Sequence, residues 1–444
     1  MTELRPPHSP TQLRRAVLSS YLGSVIEYYD FMLYATASAV VFSQVFFSQL
    51  DPLTGTVASF GTLATGYIAR PIGGIVFGHF GDRLGRKKML IITMVLMGVA
   101  SILIGLLPGY DSIGVWAPVL LVFMRIVQGF AVGGEWAGAV LLSAEHATAR
   151  RGLWASFTSA GAPSGLVLST LVLTGAAAIT SPEQFLAWGW RIPFLLSAVL
   201  LVVGLIVRAT VEETPVFRAA AVKDTGPAPL VQVLRRHPRK VALAVGIGFS
   251  AFVAQSTITT FVVSYAVQQG FTRPTVLNAL TIASAVSIVA ILAFSALSDH
   301  IGRRPVIIGG AALMGAFVFV LFPLIGSHDP GLLLLAFVIP MAIFHPAMYG
   351  PLGALYSELF DTRTRYTGAS LAYQIAGTGA GLAPLLFAGL FSGPGGTNTT
   401  AIAAIIAACC VVTIGCVLAT AETSETDLAD HAAPAETDHV VRAG

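Results

Sequence analysis

Runs of about twenty apolar residues, separated by short polar and basic stretches, recur along nearly the whole chain. A helix rises about 1.5 Å per residue, so each run is long enough to cross a hydrocarbon core ~30 Å thick. The pattern predicts twelve spans, at 17–42, 55–79, 89–107, 117–142, 153–177, 187–207, 240–266, 275–297, 305–326, 331–357, 367–391 and 399–420. The first is the most interrupted, because Glu27, Tyr28, Tyr29 and Asp30 fall inside it. The polar N-terminus and the length of that first run predict no cleavable leader.

Composition agrees with a membrane protein. Of 444 residues, 55% are hydrophobic and 11% charged, against roughly 25% charged in a soluble domain. The placement of charge adds an orientation. If the N-terminus faces the cytoplasm, 21 of the 25 Lys and Arg residues lie on that side, in the N-tail, 83–88, 150–151, 208–240, 303–304, 363–365 and the C-tail. The positive-inside rule then predicts an even number of spans with both termini cytoplasmic. Topology accounts for the basic loops, so nucleic acid is not an expected partner. Cys409, Cys410 and Cys416 share the last span and read as small apolar residues.

An internal repeat divides the chain. GDRLGRKK (81–88) recurs as SDHIGRRP (298–305), 217 positions later, and each copy follows the second span of its half. A weaker echo joins 143–156 to 357–370 after each fourth span. These repeats predict a cytoplasmic tail at 1–16, a six-helix bundle at 17–207, a linker at 208–239, a second six-helix bundle at 240–420 and a disordered tail at 421–444. Two pseudo-symmetric bundles of this kind place a site between them near the midplane.

Five charges interrupt the interior of the apolar runs, all in the first half: Glu27, Asp30, Arg70, Arg125 and Glu135, while Arg191 lies near the outer end of its run. A charge in hydrocarbon costs several kcal/mol unless it is paired or faces water, so each is a candidate functional residue. Glu27, Asp30 and Tyr34 follow i, i+3, i+7 and share a helix face. Two carboxylates one turn apart repel, which suits a proton carrier; the alternative is permanent pairing with Arg70 or Arg125. Arg70 lies on a ridge of Gly66, Gly74 and Gly78, either as an anion site or as a structural counter-ion. Arg125, Gln128 and Glu135 share a face of the fourth span, beside the small-residue pairs Gly129/Gly133 and Gly134/Gly138. The second half offers hydrogen-bonding groups: Gln255, Ser256, Thr257 and Thr260, then His345 and Tyr349, then Tyr373 and Gln374. Prolines 340, 346 and 351 predict a bent tenth span. The histidines at 79, 146, 300 and 345 are scattered, and no nucleophile, base or metal set argues for an enzyme.

With these residues in view, the chain resembles the metabolite:proton symporter family of the major facilitator superfamily. The resemblance rests on Glu27-Tyr28-Tyr29-Asp30-Phe31, Ala69-Arg70-Pro71-Ile72-Gly73-Gly74, the loop around Asp82, the stretch from Arg125 to Trp136, Gly189-Trp190-Arg191-Ile192-Pro193-Phe194, and Glu213-Thr214-Pro215-Val216-Phe217. It covers nearly the whole chain. Tyr28 stands where Trp is usual, and the fifth span has only Gly161-Ala162-Pro163-Ser164-Gly165 where antiporters of the superfamily carry a longer glycine-proline pattern.

The resemblance implies an all-α membrane protein of the bacterial cytoplasmic (inner) membrane, with twelve transmembrane helices in the major facilitator fold. It implies proton-coupled import of a small carboxylated metabolite by alternating access, as a monomer, with no bound cofactor and the proton gradient as energy source. The alternatives are a zwitterionic osmolyte symporter of proline/betaine type and an uncoupled facilitator. Expected substrate contacts are Arg125, Arg70, Gln128, Tyr34, Gln255, Tyr349, Tyr373 and Gln374. Expected proton-coupling residues are Glu27, Asp30 and Glu135. Expected gating residues are Gly81, Asp82, Arg83, Gly85 and Arg86 in the first loop, and Asp299 and Arg303 in its repeat.

Overall fold

A computed structural model describes residues 10–84, 86–146, 150–209, 229–360, 365–391 and 398–424. The described residues form helices α1 (Pro10–Val40), α2 (Pro52–Leu84), α3 (Arg86–Leu106), α4 (Trp116–Val132), α5 (Trp136–His146), α6 (Arg151–Ala178) and α7 (Arg191–Ala209) in the first half. The second half adds α8 (Pro238–Gln268), α9 (Arg273–Ile301), α10 (Arg303–Gly326), α11 (Pro330–Leu359), α12 (Arg365–Phe391) and α13 (Thr399–Leu418). Among the described residues, seven helices are long and apolar enough to cross a membrane, or eight if the bent pair Pro182–Gly189 and Arg191–Val207 is one span. The interrupted first run nevertheless forms one continuous helix, α1.

Within the first half α1 packs on α5, α6 and α7, α2 on α4, and α3 on α4 and α7. In the second half α8 packs on α12 and α13, α9 on α11, and α10 on α11 and α13. The halves meet along two seams, α2 against α12 and α6 against α9. Glycine sets the α2–α4 approach: a Cβ on Gly129 would run into the Gly66 carbonyl, and one on Gly73 into the Phe130 carbonyl. Side chains on the outer faces, such as Val199, Val202, Val289 and Val411, are more than half exposed and apolar, as lipid contact requires.

Two helices of the second half are irregular at mid-length. α8 passes through a π-helical stretch, Thr257–Val262, and α11 through another, Pro340–Phe344, before a turn at Gly350 and Pro351. The prolines of α11 remove backbone donors there.

Candidate functional site

The five intramembrane charges are all buried. α2 and α4 cross so closely at their glycines that Arg70 and Arg125 come to the same ring. The Arg70 guanidinium carbon lies 5.2 Å from the Phe31 ring centroid and that of Arg125 lies 3.9 Å from it. Arg70 also sits over Tyr67, at 5.4 Å, and Tyr373, at 5.8 Å. Arg125 lies 4.2 Å from the Tyr34 ring centroid. Arginine tolerates such stacking because its delocalised charge is weakly hydrated.

Neither guanidinium is fully engaged. Arg70 donates through Nε to Gln374 Oε1, at 2.8 Å, and Gln374 Nε2 donates to the Gly133 carbonyl at 2.9 Å. Arg125 donates through Nη1 to Gln128 Oε1 at 3.1 Å. Arg70 Nη2 and Arg125 Nε and Nη2 have no acceptor among the described residues. Leaving buried donors of a charged group unmet costs at least about 1–3 kcal/mol each, and planar guanidinium donors are the geometry that holds a carboxylate.

The carboxylates lie elsewhere. Asp30 accepts a very short hydrogen bond from Ser197 on α7 and another from Ser101 on α3. Ser101 in turn accepts from Gln128 Nε2 at 2.7 Å. Arg125, Gln128, Ser101 and Asp30 therefore form one hydrogen-bonded chain. Direct pairing of Asp30 with Arg70 or Arg125, one of the two sequence-based expectations, is not observed among the described residues; Ser101 and Gln128 link Asp30 to Arg125 instead. Glu27 shares a crevice with Asp30, lined by Met94, Met97 and Leu201. The common face expected for Glu27, Asp30 and Tyr34 splits: Asp30 reaches α7, whereas the Tyr34 hydroxyl donates to Thr62 on α2 at 2.7 Å. Glu135 is buried in the break between α4 and α5.

From the second half, Tyr373 and Tyr349 meet Tyr28 of α1. The Tyr28 and Tyr373 hydroxyl oxygens are 2.7 Å apart, and those of Tyr349 and Tyr373 are 2.8 Å apart. Trp136 stacks on Tyr373, with centroids 3.5 Å apart and planes within 10°. Gln255 is buried on α8 and makes no hydrogen bond to this group among the described residues.

A second polar cluster ties the halves at the end of the molecule that carries the repeated loops. Asp299 accepts from the backbone N–H groups of Gly152 and Leu153, at 2.9 and 3.0 Å, in the first turn of α6. Arg303 bridges Asp299 at 2.7 Å and Glu358 at 3.1 Å, and Arg151 approaches Glu358 at 3.5 Å. Tyr366 adds a bond to the Gly134 carbonyl at 3.0 Å. In the first copy of the loop, Gly85 and the side chains of Asp82, Arg83 and Arg86 lie outside the described residues, and of Gly81 only the helical backbone is described.

Sequence reasoning missed several of these groups. Ser101 and Ser197 carry no sequence signal. Arg151 and Glu358 sit inside the 143–156/357–370 echo, which could have marked them; Glu358 fell just beyond the predicted tenth span, but α11 runs through it. The tail was expected to be disordered from 421, yet Glu422 accepts from the backbone N–H groups of Arg303 and Arg304, at 2.9 and 3.0 Å. Thr423 donates to Glu358 at 2.7 Å. The dipeptide Glu422-Thr423 follows the last helix much as Glu213-Thr214 follows the sixth apolar run, and that likeness was the available signal.

A helical bundle with buried cations between its halves and a polar clasp at one end is the architecture of a membrane transporter. The sequence pattern of the Major Facilitator Superfamily matches residues 20–384 and 277–438. The chain is 39% identical to the shikimate transporter of Escherichia coli (strain K12), over 86% of this chain and 89% of that one. It is 40% identical to the inner membrane metabolite transport protein YhjE of the same organism, with the same coverage, and 32% identical to the proline/betaine transporter of Salmonella typhimurium, over 85% and 78%. Among solved structures, the partially occluded inward-open xylose transporter XylE of E. coli superposes with a TM-score of 0.73 at 21% identity, covering 94% of this chain and 100% of that one, which bears on the fold. The chain belongs to the major facilitator superfamily, in the metabolite:proton symporter family that its motifs resemble. It is a multi-pass transporter of the bacterial cytoplasmic membrane, not an enzyme.

Proposed function

We propose that this transporter imports a small carboxylated metabolite together with protons, by alternating access of a site between two six-helix bundles. The bundles comprise 17–207 and 240–420, joined by the linker 208–239, with twelve crossings, both termini cytoplasmic and the monomer as the working unit. The observation that carries the reading is the pair of buried arginines, both over Phe31 and both with unmet donors, while a chain of hydrogen bonds runs from Arg125 to Asp30.

Arg70 and Arg125 hold the substrate carboxylate, flanked by Tyr34, Gln128, Tyr349, Tyr373 and Gln374, with Gln255 joining from α8. Asp30 carries the proton, Glu27 and Glu135 serving the same path. Arrival of a carboxylate at Arg125 draws that guanidinium off Gln128, and the disturbance reaches Asp30 through Ser101. Substrate and proton occupancy are then coupled without direct contact. No bound cofactor enters the cycle; the proton gradient drives it. The cluster of Asp299, Arg303, Glu358 and Arg151 closes the cytoplasmic end, and the Asp82 loop is its counterpart in the first half.

The likeness to proline/betaine transporters favours a second reading, a zwitterionic osmolyte as cargo. Uptake by proteoliposomes separates the readings. A carboxylate should accumulate under an inward proton gradient, and an ionophore should abolish accumulation. Equal uptake with and without the gradient would establish a facilitator; preference for betaine would establish the osmolyte carrier.

A further inference from the structure

The second half contributes a string of side chains that reaches past the carboxylate site, beginning at a histidine that neither carboxylate binding nor proton transfer uses. It starts at His345, which is 2% exposed and whose two ring nitrogens have no hydrogen-bond partner among the described residues. His345 immediately follows the π-helical turn Pro340–Phe344, an irregularity that recurs at functional sites. Its ring stacks on Tyr349, with centroids 5.1 Å apart and planes 20° apart. From Tyr349 the hydroxyl contacts run to Tyr373 and then to Tyr28 in the first half. The string ends beside the Arg70 guanidinium, 5.8 Å from the Tyr373 ring.

Burying an imidazole with neither nitrogen met costs stability that packing does not return, since an apolar residue of similar size would fill the same volume. A neutral imidazole presents one N–H donor and one acceptor nitrogen. The three phenols are bonded to one another, yet each oxygen keeps a lone pair uncommitted, and each O–H can rotate toward an incoming group. Exchanging a phenol–phenol bond for a phenol–hydroxyl bond is nearly neutral. A ligand without a hydroxyl breaks the same bonds without replacement.

We propose that His345, Tyr349, Tyr373 and Tyr28 read hydroxyl groups on the substrate, so that the transported metabolite is a hydroxylated carboxylate. This rests on the reading that Arg70 and Arg125 hold the carboxylate, and it adds the opposite end of the molecule. An ammonium ligand fits the string poorly. The aromatic faces that would cradle it are taken by the protein's own cations, Arg70 over Phe31, Tyr67 and Tyr373, and Arg125 over Phe31 and Tyr34. Trp136 spends one face on Tyr373.

The test uses the full chain in proteoliposomes and matched pairs of acids: shikimate with cyclohexenecarboxylate, malate with succinate, lactate with propionate. Glycine betaine is included as a zwitterion. In at least one pair the hydroxylated member should bind roughly tenfold or more tightly than its partner, the value of one well-placed hydrogen bond whose loss leaves a buried group unmet. Tyr28→Phe, which removes only an oxygen, should shrink that preference to near unity by weakening the hydroxylated acid and not the hydroxyl-free one. His345→Phe should do the same where it folds. Equal affinity within every pair, or an equal loss for both members in Tyr28→Phe, overturns the proposal and leaves the string a structural tie between the halves. Binding of betaine with neglect of every acid overturns instead the carboxylate reading beneath it.

Discussion

Arg70 donates from Nε to Gln374 Oε1 across 2.8 Å, joining residues 304 positions apart. Gln374 passes the tie to the Gly133 carbonyl at the end of α4, so one amide holds α2, α4 and α12 together. An arginine held this way is aimed, and its remaining Nη2 is left for a ligand.

Lysine at either arginine keeps the charge and loses the fork. Arg125→Lys and Arg70→Lys should each weaken carboxylate binding by roughly ten- to a hundredfold, since a charge-assisted bond contributes about 1.5–3 kcal/mol. Equilibrium binding to purified, folded variants checks this. Normal binding by both would move carboxylate recognition to other residues.

Asp30→Asn retains the hydrogen bonds from Ser197 and Ser101 in shape but cannot lose a proton at working pH. Exchange of labelled for unlabelled substrate should persist in this variant, and gradient-driven accumulation should vanish. Gln128→Leu cuts the chain at its middle and should give the same split in weaker form. Accumulation by Asp30→Asn at the native level would remove Asp30 from the proton path.

Glu358 has no exposed side-chain surface and takes bonds from Arg303, Arg151 and Thr423. Glu358→Ala leaves Arg303 paired with Asp299 alone and its Nη2 donor unmet, at a cost of about 1–3 kcal/mol. Thermal unfolding in detergent should begin at a clearly lower temperature, and transport should fall. An unchanged unfolding profile would show that the cluster is not a clasp.

Glu422 makes the clasp sensitive to acid. Burial alone would raise its carboxyl, but the backbone N–H groups of Arg303, Arg304, Thr423 and Ser424 outweigh that and hold it below the usual range. A depressed carboxyl adds stability above its unfolded value of about 4.3, and that stability is lost as pH falls through the folded value. The clasp should therefore loosen only below about pH 4, and Glu422→Gln should loosen it at neutral pH. Protease accessibility of the C-terminal tail across pH reads both effects; identical profiles for the two proteins would deny Glu422 the role.

Gly129→Ala places a methyl group against the Gly66 carbonyl, backbone against backbone, where no rotamer can give way. Folded yield in membranes should drop sharply. Normal yield would mean that α2 and α4 can separate at no cost.

The sequence by itself determined the membrane fold and the identity of the buried charges. A run of twenty apolar residues has few alternatives to a span, and a lone Arg70 or Arg125 within one stands out with no knowledge of its neighbours. The 217-residue repeat likewise announced Asp299 and Arg303. What each charge faces was decided only by the tertiary structure. Glu27, Asp30 and Tyr34 share a helical face by spacing, but that face meets α3, α7 and α2 at different heights, so Asp30 went to serines and Tyr34 to Thr62. Ser101 and Ser197 are ordinary residues in a sequence. They act because helices far apart in the chain bring them within hydrogen-bond reach of Asp30. A hydrogen bond depends on distance and angle in space, and helical periodicity sets direction about one axis only.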